Sequence, residues 1–369
     1  MHGLSFTLIL LFSLCLIKKY QLHILKDEEI PLLRNRVTLP FISSLSRQIF
    51  TTLCIGTPPQ CLVFKVATNI NESFLLDSYL LNKGGFKSED SSSLILTDGT
   101  VNFTHASISY KGYIAKDVLT IPDSNVNIPE FTFFLATEGN GNKLYEGVLG
   151  LGKMVIDSEF SFISDLYMND YIQNIMFGIT YDSLKKDKGK MTFGFIDTFD
   201  NLKYKSCEIE DNDSTATFDT ILDGIIYYNE NDPLLTKAYH SPQSLFFSPG
   251  ANKIYCPAKF FYFLIGEVFK QYIDKEGICY TEEEAETYES LICSQTILSK
   301  QLGELNFIFG KWSVSLNIVD LFYNCGANEY CLQIVLANDE SKWVFGTPFL
   351  QFFPIVFDVD DNLIKIQIN

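Results

Sequence analysis

Cys54-Ile55-Gly56-Thr57-Pro58-Pro59-Gln60-Cys61 is a turn set between two β-prone runs, Thr51 to Ile55 and Cys61 to Val66. Gly and Pro punctuate the chain there, and the flanking runs are rich in Val, Ile, Phe and Thr, so the stretch reads as a β-hairpin. The two cysteines flank the turn symmetrically, which sets them opposite each other across the strands and within disulfide reach. Working outward, the same pattern recurs at Phe131 to Leu135, Met191 to Ile196, Leu305 to Phe309 and Ile355 to Val359. Short runs of this kind between Gly, Asn, Asp and Pro clusters indicate a mostly β protein. Helical patterning is confined to Phe160 to Tyr167 and Ala258 to Tyr272. Gly139 to Asn142 and Lys185 to Lys190 read as loops, the second marking a boundary between two lobes, and Glu282 to Glu286 reads as a solvated loop.

The composition limits what such a chain can do. Its 369 residues suffice for two lobes or one large domain, and 47% hydrophobic with 20% charged residues excludes disorder and coiled coil. A formal charge of −17 repels nucleic acid and anionic membrane surfaces. Four histidines leave little for a histidine-rich metal site, so neither metal nor cofactor is expected. Leu4 to Ile17 is almost wholly apolar, too short to cross a bilayer but of signal-peptide length, with Lys18 and Lys19 behind it. Residues 1–19 are therefore expected to be a signal, the alternative being a short signal anchor, and no later stretch is long and apolar enough to span a membrane.

Export agrees with the cysteines. Beyond Cys15 there are Cys54, Cys61, Cys207, Cys256, Cys279, Cys293, Cys325 and Cys331, with no CxxC pair among them. All eight are disulfide candidates, and the 105 possible pairings leave the connectivity open. Asn71, Asn102 and Asn212 open Asn-x-Ser/Thr sequons and are glycan candidates in a secretory route.

An apolar-apolar-Gly element, Val148-Leu149-Gly150, lies in the run Tyr145 to Gly152, and Val344-Phe345-Gly346 echoes it. One copy per half points to an internal duplication. Together with the hairpin, with Phe193-Gly194-Phe195-Ile196-Asp197 and with the closing Trp343 to Asp358, these runs resemble the pepsin-type aspartic proteases over nearly the whole chain. The resemblance implies a bilobal, mostly β fold with a peptide-binding cleft between lobes, here residues 45–187 and 188–369. Residues 20–44 would be a short pro-segment-like or N-terminal strand region, since Ile30-Pro31-Leu32 with Arg34 and Arg36 resembles the family's opening pro-segment strand.

The family's chemistry needs one aspartate from each lobe, the pair sharing a proton and a water. Counted from the hairpin, the first aspartate position is Ala67, in Ala67-Thr68-Asn69-Ile70; counted from Ser244 to Phe247, the second is Ser248, in Ser248-Pro249-Gly250-Ala251. No acidic residue lies within Cys61 to Asn71 or Ser241 to Pro257, so the reading is independent of register. A methyl group relays no proton, and an unassisted serine hydroxyl is a poor acid or base. The flap alignment puts His105 where the family carries tyrosine. Thr68, Asn69, His105 and Gly250 are then cleft and flap residues without a catalytic pair.

The expected function is a secreted, or secretory and endolysosomal, pseudoprotease acting as a binding or decoy protein for a peptide or protein ligand, as a monomer. Two alternatives stand beside it: an aspartic-type endopeptidase using other carboxylates, of which Asp358 reads as scaffold, and a structural or storage protein. A serine-hydrolase pairing of His105 with Ser248 lacks any nameable orienting carboxylate. Lys65 and Asn69 could instead bind a peptide at the former floor, against the plainer reading of a satisfied polar site.

Overall fold

The hairpin is formed, with Cys54 opposite Cys61 and a disulfide between them. The computed structural model describes residues 36–368 except 44–47, 82–83, 106–107, 140–144, 154–160, 183–186, 195–203, 211–215, 232–235, 285–287 and 338–341. The signal, most of the pro-segment-like region, Asn212 and Phe195 to Asp197 therefore lie outside the described residues.

In the first half, the strands are β1 (Arg36–Ser43), β2 (Ile49–Ile55), β3 (Gln60–Ala67), β4 (Phe74–Leu76), β5 (Ile95–Leu96) and β6 (Val101–His105). They continue as β7 (Ile108–Thr120), β8 (Asn127–Gly139), β9 (Gly147–Gly150), β10 (Met176–Tyr181) and β11 (Lys188–Gly194). The second half begins with β12 (Tyr204–Glu208), β13 (Asp219–Tyr228), β14 (Lys237–Phe247), β15 (Ile254–Cys256), β16 (Cys279–Glu284), β17 (Tyr288–Ser294) and β18 (Glu304–Phe309). It ends with β19 (Trp312–Asn317), β20 (Phe322–Gly326), β21 (Glu329–Leu332), β22 (Ile334–Leu336), β23 (Lys342–Phe345), β24 (Ile355–Asp358) and β25 (Leu363–Gln367). The mostly β expectation holds, and the alternation within strands explains it: in β18, Leu305, Phe307 and Phe309 are buried while the residues between them are not.

One sheet of 14 strands runs β12-β25-β24-β10-β11-β1-β2-β3-β9-β4-β8-β7-β5, with β6 on β7. Two smaller sheets belong to the second half, β19-β18-β13-β14-β23-β15-β22 and β16-β17-β21-β20. The large sheet takes in strands on both sides of position 187/188. β10 and β11 form a hairpin across that position, and β11 also pairs with β1 from Arg36↔Gly194 to Ile42↔Lys188. Ladder bonds on both edges tie β11 into the sheet. Phe177 on β10 stacks on Phe357 of β24 at 4.7 Å, so the last strands are packed onto the same sheet.

Both helical readings are met, as Phe162–Met168 capped by Ser161, and as Ala258–Phe263 continued by a π turn, Leu264–Val268, and by Lys270–Asp274. The acidic run read as a loop is instead strand up to Glu284, because β16 pairs with β17 and Cys279 is bonded to Cys293. Cys325 and Cys331 form a third disulfide. The remaining two disulfide candidates are corrected: Cys207 and Cys256 are free thiols. They lie in different sheets, Cys207 on β12 and Cys256 on β15. Burial pushes Cys207 up to about 11 and Cys256 well above the usual thiol range, so both stay protonated and unreactive.

Candidate functional site

Two strand-loop-strand elements of identical direction meet at the junction of the halves. In the first, β3 runs parallel to β9, from Phe64↔Gly147 to Ala67↔Gly150, and β4 returns antiparallel to β9 and parallel to β8. In the second, β14 runs parallel to β23, from Ser244↔Lys342 to Phe247↔Phe345, and β15 returns antiparallel to β23 and parallel to β22. The two apolar-apolar-Gly runs are thus equivalent in structure as well as in sequence. Their glycines have a steric reason. A Cβ on Gly150 would strike the carbonyl oxygens of Glu72 and Asn71, the latter at 2.6 Å; one on Gly346 would strike those of Lys253 and Ala251, the latter at 2.5 Å. Each loop packs its backbone directly on the neighbouring strand.

The loops are joined to each other. Thr68 Oγ1 donates a buried hydrogen bond of 2.8 Å to the Phe247 carbonyl. Ala67 precedes that threonine and Ser248 follows that phenylalanine, so the bond brings the two expected aspartate positions to one place. Ala67 is 2% exposed and Ser248 8%. On the opposite side the place of Thr68 is held by Pro249, which has no hydroxyl; its carbonyl accepts from Thr347 Oγ1 at 3.4 Å, and Ser248 N donates to the Phe345 carbonyl at 2.9 Å. Gly250 lies over the end of β3, where an added Cβ would sit 3.2 Å from the Val66 carbonyl and 3.3 Å from Lys65 Cε.

Strand alternation decides what β3 presents here. Leu62, Phe64 and Val66 point into the main core, which leaves Val63, Lys65 and Ala67 on the other face. That face is graded: Val63 is 39% exposed, Lys65 is half-buried and Ala67 is closed off. Ala67 belongs to a second apolar cluster with Phe74, Leu76, Tyr110, Phe134, Ala136 and Val148, against which Ile70, Phe103 and Tyr145 also pack. Phe103 and Tyr110 come from the β6–β7 hairpin and lie 5.4 and 5.5 Å from Phe74. This hairpin is the flap read from sequence, and His105 stands at its end, paired with Ile108.

Lys65 is the charged group of the site. Its Nζ lies 5.8 Å from the centre of the Tyr145 ring, and burial holds the ammonium below the usual lysine range. Burial also raises Tyr145, and raises Tyr110 with help from Tyr145. The fully buried carboxylates among the described residues serve elsewhere. Asp77 accepts from Tyr79 N and Ser88, Asp117 from Ser91, Ser93 and Val118 N, Asp219 from Thr217 beside Lys342, and Asp358 from Asp361 N beside Lys365 at 2.6 Å. Asp358 is therefore scaffold, as read.

The remaining site residues separate. Thr68 is buried and Asn69 exposed. Asn71 is 1% exposed, and its sequon partner Ser73 is equally buried, its Oγ accepting from Gly150 N at 3.1 Å. A glycan needs its asparagine at the surface, so burial within the loop removes Asn71 from the glycan candidates. Asn102 is exposed on the flap strand, opposite Lys111. Among the described residues no group of His, Cys, Asp and Glu could hold a metal, and no helix is long and apolar enough to cross a membrane. Sequence reading missed Tyr110, whose burial in the flap strand the alternation of β7 could have signalled, and the approach of the Lys65 stem to the side-chain position of Gly250, which joins residues far apart in the chain.

A β fold with one loop from each half meeting beneath a flap hairpin is the architecture of the pepsin-like class. The chain matches the family described as eukaryotic aspartyl protease over residues 48–368, and it belongs to that family. It is similar to vacuolar protease A of Neurospora crassa, 29% identical over 125 residues, a match covering 31% of each chain. The chain is thus matched over less than a third of that relative's length.

Proposed function

We propose that this chain is a non-proteolytic member of the family that binds peptide in the cleft, in the lumen of the secretory or endolysosomal route. The observation that supports the reading is the Thr68–Phe247 hydrogen bond, whose donor follows Ala67 and whose acceptor precedes Ser248. A carboxylate pair at that place would share a proton and activate water; a methyl and a hydroxymethyl group have no such chemistry. Loss of both members of a cooperating unit removes the mechanism rather than weakening it. Three disulfides fit an oxidising lumen. An exposed Asn102 at the root of the flap would place its glycan beside the cleft mouth, a reading that mass mapping of the secreted chain checks.

The test is direct. Purified chain is incubated with denatured haemoglobin and casein at acidic pH, with and without a transition-state peptide mimic. No cleavage above the buffer control is expected. Cleavage that the mimic inhibits would overturn the proposal in favour of an endopeptidase using carboxylates from elsewhere.

A further inference from the structure

Lys65 is a cation inside the junction with no anion paired to it among the described residues. Its ammonium has three donors and no acceptor, and among the described residues it makes no ion pair and no hydrogen bond. The nearest carboxylate along the parallel strand, that of Glu146, is already taken by the backbone N–H groups of Val63 and Gly85, at 2.8 and 3.0 Å. What Lys65 does have beside it is the Tyr145 ring, 5.8 Å from Nζ to the ring centre, and the space that a Gly250 side chain would occupy, where a Cβ would sit 3.3 Å from Lys65 Cε. A ring face offsets part of the desolvation of a cation but supplies no hydrogen-bond acceptor.

The surroundings are apolar on both sides along the strand. Val63 is exposed toward the open end, and Ala67 with Ile70 and Phe103 closes the other. Side chains of an extended peptide repeat every two residues on one face, so a ligand lying along β3 would meet an apolar wall, a lone cation and an apolar wall in turn.

Resting on the peptide-binding reading above, we infer that Lys65 makes this cleft selective for a peptide carboxylate flanked by apolar side chains two residues to either side. The carboxylate completes a charge-assisted hydrogen bond with the ammonium, in a setting where such a bond is stronger than in water. Gly250 is part of the site because the absence of a side chain leaves the lysine stem room to cross between the halves. The chain's −17 charge repels an anionic peptide at long range, so the selectivity is a contact effect.

Four fluorescent octapeptides test it, each with Phe and Ile two residues either side of the central position and Ala elsewhere. Three are amidated and carry Glu, Gln or Lys at the centre; the fourth carries Gln and a free C-terminal carboxylate, to distinguish a side-chain from a terminal carboxylate. Anisotropy titration is expected to show the Glu peptide binding at least about tenfold more tightly than the Gln peptide, the difference a charged hydrogen-bond partner makes, with the Lys peptide weakest. The same discrimination by the free-terminus peptide would assign the carboxylate to a chain end. Lys65→Met should abolish the Glu preference, so that Glu and Gln peptides bind equally, and Lys65→Arg should retain it; matching thermal unfolding of all three proteins excludes misfolding. Equal binding of Glu and Gln peptides by the wild-type chain overturns the assignment of Lys65 but leaves peptide binding standing. Binding of none of the four overturns both.

Discussion

The two loop-bearing elements share strand directions and the steric need for glycine, yet they present different side chains to the junction. The first, following β3, contributes Lys65, Ala67 and Thr68; the second, following β14, contributes Ser248, Pro249 and Gly250. Among the described residues, only the first reaches across with a hydroxyl hydrogen bond, and only the first carries a charge into the space between. The comparison separates two demands on one piece of chain. Packing of loop on strand is set by the backbone and is the same twice; the chemistry at the loop tip is set by a few side chains and differs.

The widest test of the shared part is a methyl group on each glycine. Gly150→Ala and Gly346→Ala each drive a Cβ into carbonyl oxygens that cannot move without shifting the loop. Each is expected to cost about 2–4 kcal/mol in urea unfolding. Similar costs uphold the equivalence of the halves, and a negligible cost in one would break it. The difference between the loops is probed next by Thr68→Val, which keeps shape and removes the hydroxyl. A loss of about 1–2 kcal/mol is expected, measured in the same way. No loss would mean the cross-junction bond is dispensable and the loops are held by packing alone.

The smallest effect sharpens the comparison by pH. Asp165, on the helix Phe162–Met168 of the first half, is pushed up to about 7 by burial, against the opposing pull of the Thr132 backbone N–H and of Lys116; its Oδ2 is buried with no hydrogen-bond partner among the described residues. Its folded-state pKa lies above the unfolded value, so between about pH 4 and 7 the folded chain binds more protons. Stability from this group is present in acid and falls as pH rises through that window. Asp165→Asn is expected to raise the melting temperature at pH 7.5 by a few degrees, on the order of 1 kcal/mol, and to leave it unchanged at pH 4. An equal shift at both pH values would assign the effect to packing.

Much of this was legible in the chain. The hairpin from Cys54 to Cys61 was readable because a Gly-Pro turn, alternating flanks and symmetric cysteines all act locally. The helix from Ala258 onward was readable for the same reason, as was the absence of acidic residues from both loop stretches. Other features were hidden by distance. Nothing near 187 reveals that β11 pairs with β1, some 150 residues earlier. The sequon at Asn71 looks like a surface site because its burial depends on β9 and the loop packing over it. Cys207 and Cys256 look like disulfide candidates because the sheets that hold them are invisible in a list of positions.

By itself, then, the sequence determined the β class, the family and the residue types at the two loop tips, because each depends on short-range pattern or on identity alone. Tertiary structure decided that Thr68 meets Phe247, that Lys65 lies between Tyr145 and Gly250, and which cysteines remain free. These are contacts between segments brought together only by the closure of sheets, and no local rule of propensity or spacing encodes them.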